Sequence, residues 1–326
     1  MGLTFFDMFA GVGGFRLGME KAGHTCVGSC EWDKYSRQTY NKNFGHYPEY
    51  DDAKDMSLAS QPRFDVLCAG FPCQAFSIAG KRMGFEDTRG TVFFEIARIT
   101  REVKPSYLFL ENVKGLLSHD KGRTFSTIIS TLDEMGYDAE WQVLNSKYFV
   151  PQNRERIFII GHLRGERTRQ VFPLGDFNEI SDKKKYRTEK LEAKTGLYGV
   201  VNDKKGLRSV NNSTCLDANY YKGHDYHGAR TMICKPVLTP DREEKRQNGR
   251  RFKDDGEPAF TLNTQDRHGI YDGMKIRKLT PTECERLQGF PDDWTKGVSD
   301  TQRYRQMGNA VTVPVVEYIA KEFYIG

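Results

Sequence analysis

Residues 7–15 read Asp7-Met8-Phe9-Ala10-Gly11-Val12-Gly13-Gly14-Phe15. The apolar run Leu3–Phe9 predicts a strand. Phe15–Ala22 predicts a helix, closed by Gly23 in the left-handed C-terminal position. A glycine-rich loop between a strand and a helix suits a nucleotide-like ligand, because glycines let backbone approach it closely. The spacing is GxGG: Arg16 stands where the last glycine of GxGxxG would be, which weighs against NAD or FAD. Working outward, Thr25–Glu31 predicts a second strand, and Asp33 caps a helix over Lys34–Phe44 with Gly45 behind it. Glu31 ends its strand where a carboxylate can accept hydrogen bonds from two ribose hydroxyls. Trp32 offers a flat face to an adenine or a cationic group, and Asp51 or Asp52 an acceptor for an adenine amino group. The loop alone is equally a plain tight turn beside a surface acid. Joined to Glu31-Trp32, it favours S-adenosylmethionine as cofactor.

Asp65–Ala69, Tyr107–Glu111 and Ile157–Gly161 predict further strands. Short apolar runs alternating with helical patterns over 1–163 are the mark of βα units on a mostly parallel sheet. The expected class is therefore α/β, with a Rossmann-like domain. From 164 to 272 the rhythm is lost, with Lys183-Lys184-Lys185, scattered glycines and short β-like patches. This stretch is expected to form a separate small β and loop domain. Periodicity returns at Thr280-Pro281-Thr282-Glu283, an N-cap, a first-position proline and the Glu of a capping box. Gly289 is expected to end that helix, and Pro314–Phe323 to form a last one. Residues 273–326 are thus expected to complete the domain begun by 1–163.

Composition bounds the function. The 326 residues include 21 Phe, 16 Tyr and 3 Trp, too many aromatics for a disordered chain. No apolar run approaches the roughly 20 residues of a membrane span, and the start lacks the basic region of a signal peptide. Seven cysteines without a CxxC pair argue against a disulfide framework or a zinc ribbon. A cytosolic (cytoplasmic) location follows as an expectation. The seven histidines form no metal-ligand pattern, so no metal is expected. Residues 164–272 hold 22 Lys/Arg against 17 Asp/Glu, whereas the remainder balances at 27 each. That excess is a candidate phosphate-contacting surface once a nucleic-acid partner is argued independently.

Gly70-Phe71-Pro72-Cys73-Gln74-Ala75-Phe76-Ser77 follows the strand Asp65–Ala69. Open α/β sheets bind ligands past the C-terminal ends of their strands. Glu111-Asn112-Val113 ends another strand, and Gln152-Asn153-Arg154-Glu155-Arg156 precedes a third. A thiol, a carboxylic acid and two guanidiniums are therefore expected at one sheet edge. In chain order, DMFAGVGGF, EW, GFPCQAFS, ENV, QNRER, RKLTPTECERLQGFP and QMGNAVTVPV resemble the DNA (cytosine-5) methyltransferases, particularly the small bacterial restriction–modification type. The likeness covers about two-thirds of the chain. Residues 164–272 stand where that family carries its variable target-recognition domain.

The resemblance implies a mechanism that fits the residues. Cytosine C5 is a poor nucleophile until a thiolate adds to C6. Cys73 takes that role. Glu111 would protonate N3 and bind the exocyclic amine, Arg156 would hold O2, and Arg154 would orient Arg156 or bind backbone. Phe9, Gly11, Gly13, Gly14, Glu31, Trp32, Asp51, Asp52, Pro72, Asn309 and Ala310 would hold the cofactor. The base must be flipped out of its duplex, and Phe76–Gly90 resembles a mobile loop whose Ser77, Lys81, Arg82 and Arg89 could meet DNA. Asn219, Lys222, Arg230, Gln265 and Arg267 are candidate base readers, since Arg suits guanine and Asn or Gln adenine. The implied partners are double-stranded DNA and a cognate restriction endonuclease, with the chain a monomer. Two rivals stand beside this reading: an RNA cytosine-5 methyltransferase, and a catalytically inactive DNA-binding regulator.

Overall fold

The computed structural model describes residues 2–56, 63–71, 92–174, 200–203, 206–209, 231–232, 235–240, 250–254, 257–264, 267–271 and 276–326. Its centre is a six-stranded sheet of β1 (Thr4–Met8), β2 (Thr25–Cys30), β3 (Val66–Gly70), β4 (Tyr107–Val113), β5 (Tyr137–Asn145) and β6 (Glu155–Leu163). The strand order is β2-β1-β3-β4-β6-β5. The first four strands are parallel; β6 runs antiparallel to both β4 and β5. The class expected from the sequence, α/β with a mainly parallel sheet, is the one observed.

The sheet is buried on both faces, which explains why its central strands read as continuous apolar runs rather than as alternations. Successive side chains of β1 point opposite ways. Phe6 and Met8 join a core with Leu67, Ile96, Leu108, Leu132 and Ile159. That face carries α3 (Val92–Val103) and α4 (Arg123–Glu134). Phe5 joins the other core with Phe15, Met19, Phe109, Val315 and Ile319. Those partners lie on β4, on α1 (Gly14–Lys21), which follows β1, and on the last helix, α7 (Val313–Ala320). Gly18 lets α1 approach α7 closely, since a methyl there would lie 2.6 Å from the Val316 side chain. Each fully buried Val or Ile on this face contributes roughly 1.5–3 kcal/mol of transfer free energy.

The predicted caps form as read. Asp33 accepts from the Ser36 N–H at 2.8 Å to start α2 (Lys34–Phe44), and Gly45 follows at φ 81°. Thr280 and Glu283 complete a capping box on α5 (Pro281–Leu287), with Gly289 beyond it at φ 79°. The last helix begins one residue before Pro314. Between Leu163 and α5, the described strands are short and antiparallel: β7 (Val200–Asp203), β8 (Gly206–Ser209), β9 (Thr231–Met232), β10 (Lys235–Leu238), β11 (His268–Tyr271) and β12 (Ile276–Lys278). Helix α6 (Asp300–Asn309) lies between α5 and α7. No helix among the described residues is long and apolar enough to cross a membrane.

Candidate active site

A cleft of about 600 Å³ opens where β1, β3 and β4 end, beside the start of α6's following loop. Strands of both directions bring distant residues to it. The parallel strands deliver their C-terminal residues, Phe9, Glu31, Gly70 and Glu111. The antiparallel run of β6 delivers its first residues instead, with Arg156 opposite Val113.

The glycine loop forms one wall. Phe9, Gly11 and Gly13 all adopt positive φ (60°, 55° and 85°). Gly11 faces open space, where a methyl group would meet nothing within 4 Å. Gly13 turns the other way, against the Phe44 ring, and Gly14 packs on Val311. Glu31, 6% exposed, folds under the loop. Its Oε2 accepts from the Gly11 N–H and its Oε1 from the Asp33 N–H, each at 2.7 Å. Each oxygen retains a further lone pair for a ligand hydroxyl. Burial pushes this carboxyl above the usual range, while the backbone donors pull the other way. Trp32 beside it is 79% exposed, an unusual waste of apolar area without a ligand to cover it. Asp51 and Asp52 are not among the cleft's lining. Asp51 pairs with Arg37 at 2.5 Å, and Asp52 caps a short turn through the Lys54 N–H.

Beneath the loop, Asp7 is fully buried. Its Oδ2 accepts from the Arg16 N–H at 3.1 Å, tying the start of α1 to β1, and its Oδ1 has no hydrogen-bond partner. Burial pushes this carboxyl from 3.8 up to about 7, against the pull of Arg16. A carboxyl raised on folding favours the folded state only while protonated. Its contribution is complete below about pH 4 and is lost as pH rises through about 7. Asp7→Asn should therefore gain about 2–3 kcal/mol on the wild type between pH 5 and pH 8 in urea unfolding. Parallel pH profiles for the two proteins would contradict it.

Glu111 and Arg156 form the second wall. The Arg156 Nε lies 3.1 Å from the Glu111 Oε1, both side chains being mostly buried. Gly70 lies beside this carboxylate, where a methyl would make ordinary contact with Oε2 at 3.5 Å. Asn112, 2% exposed, donates to the Phe71 carbonyl at 2.8 Å and accepts from the Val113 N–H. It fixes the last described residue before the stretch that contains Cys73. Sequence reasoning gave Asn112 no role, because an amide between two strand residues carries no spacing signal.

Arg154 is 2% exposed and its bonds go to backbone carbonyls: Leu262 (2.8 Å), Ala310 (2.9 Å) and Gly308 (3.3 Å). Burial lowers this guanidinium to about 9, and Arg156 adds to the effect. Asn309 and Ala310 line the cleft at the end of α6. Leu262, Asn263, Thr264 and Arg305 also line it; the first three lie in the stretch Ala259–Tyr271 that resembles a recognition element, but none is a candidate site residue by sequence. Arg267 is exposed, away from the cleft, with its carbonyl accepting from the Thr239 N–H. Pro72, Cys73, Ser77, Lys81, Arg82, Arg89, Asn219, Lys222, Arg230 and Gln265 lie outside the described residues.

Comparison with known proteins meets this geometry from the other side. The family model described as C-5 cytosine-specific DNA methylase matches residues 3–324. The chain is 41% identical to the type II methyltransferase M.HpaII of Haemophilus parainfluenzae over 329 residues, 98% of this chain and 88% of that one. It is 39% identical to M.HhaI of Haemophilus parahaemolyticus over 326 residues, 98% and 93% of the two chains. Among solved structures, a prophage-encoded DNA modification methyltransferase (E. coli) superposes with a TM-score of 0.60 at 20% identity, over 98% of both chains, a likeness of fold. With the match running from the first strand to the residues after α7, the chain belongs to the C-5 cytosine-specific DNA methylases.

Proposed function

We propose that this enzyme methylates C5 of a flipped-out cytosine within a specific double-stranded DNA sequence, through a covalent bond between Cys73 and C6. The observation that carries the reading is the Glu111–Arg156 pair at 3.1 Å on the cleft wall, beside Phe71, two residues before Cys73 in the sequence.

The cleft fits a nucleoside-bearing cofactor: Gly11 leaves a space that any side chain would fill, Glu31 is buried with lone pairs to spare, and Trp32 presents a bare ring. S-adenosylmethionine, when bound, supplies an electrophilic methyl group for C5. Phe9, Gly11, Glu31, Trp32, Pro72, Asn309 and Ala310 would hold it. Gly13 and Gly14 serve the packing of the loop. The chain's own chemistry falls to three groups. The Cys73 thiolate adds to C6, and the C5–C6 π electrons become an enamine. Glu111 gives a proton to N3, so the ring does not carry a full negative charge. Arg156 holds O2 and keeps Glu111 in place. After methylation the C5 proton passes to water, the C5–C6 double bond re-forms, Cys73 is expelled as thiolate and N3 returns its proton to Glu111. Arg154 spends its donors on carbonyls and acts as a positioning residue.

In this reading, residues 164–272 recognise the target, with Asn219, Lys222, Arg230, Gln265 and Arg267 as base or phosphate contacts and Ser77, Lys81, Arg82 and Arg89 closing over DNA. Residues 1–163 and 273–326 form the catalytic unit. The biological role is protection of host DNA beside an endonuclease that cuts the same sequence, the kind of system to which type II methyltransferases such as M.HpaII belong. The test is transfer of labelled methyl from S-adenosylmethionine to unmethylated mixed-sequence duplex DNA and to RNA, followed by nucleoside analysis. Label in 5-methyldeoxycytidine is expected. Label only in RNA, or on another position of a DNA base, would overturn the proposal.

A further inference from the structure

Helix α6 turns different faces to different neighbours. Arg303 pairs with the buried Glu285 at 3.0 Å, the Tyr304 hydroxyl donates to the Leu279 carbonyl at 2.6 Å, and Met307 packs in a core with Leu287 and Val313. Gln302, Arg305, Gln306 and Asn309 fall on one helical face and line the cleft instead. The Thr39 hydroxyl donates to the Gln306 Oε1 at 3.1 Å, which seats this face against α2.

Arg305 is the cation on that face, and it is exposed. Surface arginines elsewhere pair with carboxylates: Arg98 with Glu95 and Glu102, Arg123 with Asp120, Arg286 with Asp292. Arg305 has no hydrogen-bond or ion-pair partner among the described residues. Its own helix offers none, since three and four positions away stand Gln302, Thr301, Gly308 and Asn309. The carboxylates that line the cleft are held elsewhere. Glu31 accepts from the Gly11 and Asp33 N–H groups, Asp33 from the Ser36 N–H, and Glu111 pairs with Arg156. Arg154 spends its donors on carbonyls. Of the three arginines lining the cleft, Arg305 is therefore the one left to meet an anion that a ligand brings.

We infer that Arg305 binds the α-carboxylate at the amino-acid end of the cofactor. The inference rests on the cleft reading proposed above, which assigns Asn309, one turn further along the same face, to the cofactor. That carboxylate is the single anionic group of S-adenosylmethionine, and a planar guanidinium can donate two parallel hydrogen bonds to it. A phosphate of the DNA backbone would present similar chemistry, so the test separates the two sources. The probes are S-adenosylhomocysteine and 5′-deoxy-5′-methylthioadenosine, which keeps the nucleoside and the sulfur but lacks the amino-acid end. In the full chain, Arg305→Ala should weaken S-adenosylhomocysteine about tenfold in equilibrium binding and leave methylthioadenosine within about twofold. Arg305→Lys keeps the charge without the fork and should fall between. The Kd for unmethylated plasmid DNA and its salt dependence should match wild type in both variants. Unchanged S-adenosylhomocysteine binding would overturn the inference, and so would an equal loss of both nucleosides, the mark of a structural role. A loss confined to DNA, with the salt slope reduced by about one, would overturn it in favour of a phosphate contact. Wild type that binds neither nucleoside would overturn the cleft reading itself.

Discussion

Cys73→Ser lowers the rate of methyl transfer by on the order of 10⁴-fold or more, the scale on which a covalent nucleophile is lost. Serine is nearly the same size, so the substitution tests the sulfur and not the shape of the loop. At neutral pH a thiol near its ordinary pKa of about 8.5 is ionised to a few per cent, whereas an unassisted alcohol is hardly ionised at all. Glu111, the carboxyl on the cleft wall, is engaged by Arg156 and in the proposed role carries the proton for N3, so it does not serve as a base for a hydroxyl. Binding of S-adenosylhomocysteine should stay within about threefold of wild type, well under 1 kcal/mol. Near-wild-type turnover in the variant would remove Cys73 from the mechanism.

Glu111→Gln is the second large effect, a fall of about 10²–10⁴ in kcat, the usual worth of a positioned proton donor. The glutamine Oε1 can still accept from the Arg156 Nε, so the wall of the cleft should keep its form while the transferable proton is lost. Cofactor affinity should change little, because the Glu111 carboxyl is held by Arg156 and the substitution keeps its size and its acceptor oxygen. A large loss of S-adenosylhomocysteine binding with kcat retained would place Glu111 in the wrong role.

Local signals carried well from sequence to structure, and long-range ones did not. Asp33 and Thr280 act as caps because their side chains meet N–H groups three residues away, a distance the sequence displays. The core strands were legible because both faces of the sheet are covered, which forces unbroken apolar runs such as Val66–Ala69. The edge strand β5 was not: Asp138 and Trp141 are exposed on it, so its pattern is only half apolar. Helices α3 and α4 also lie outside the predicted elements. In the cleft, Glu31, Glu111 and Arg156 stood out because charged residues at strand ends have few structural uses. Asn112 and Gln152 did not, since their work is to hold backbone groups more than 40 residues away in sequence. Gly308 was quoted within a motif, but the packing of Asn263 on it is a fact of three dimensions.

The measurement closest to the central claim uses unmethylated duplex DNA of randomised sequence with 5-fluorodeoxycytidine in place of deoxycytidine. Fluorine cannot leave C5 as the proton does, so an enzyme already bonded to C6 has no route to expel the base. With S-adenosylmethionine present, mass spectrometry of denatured protein should find a DNA adduct, mapped by peptide analysis to Cys73. Methylation of ordinary DNA without any adduct on the fluorinated duplex, or an adduct on another residue, would contradict the covalent mechanism.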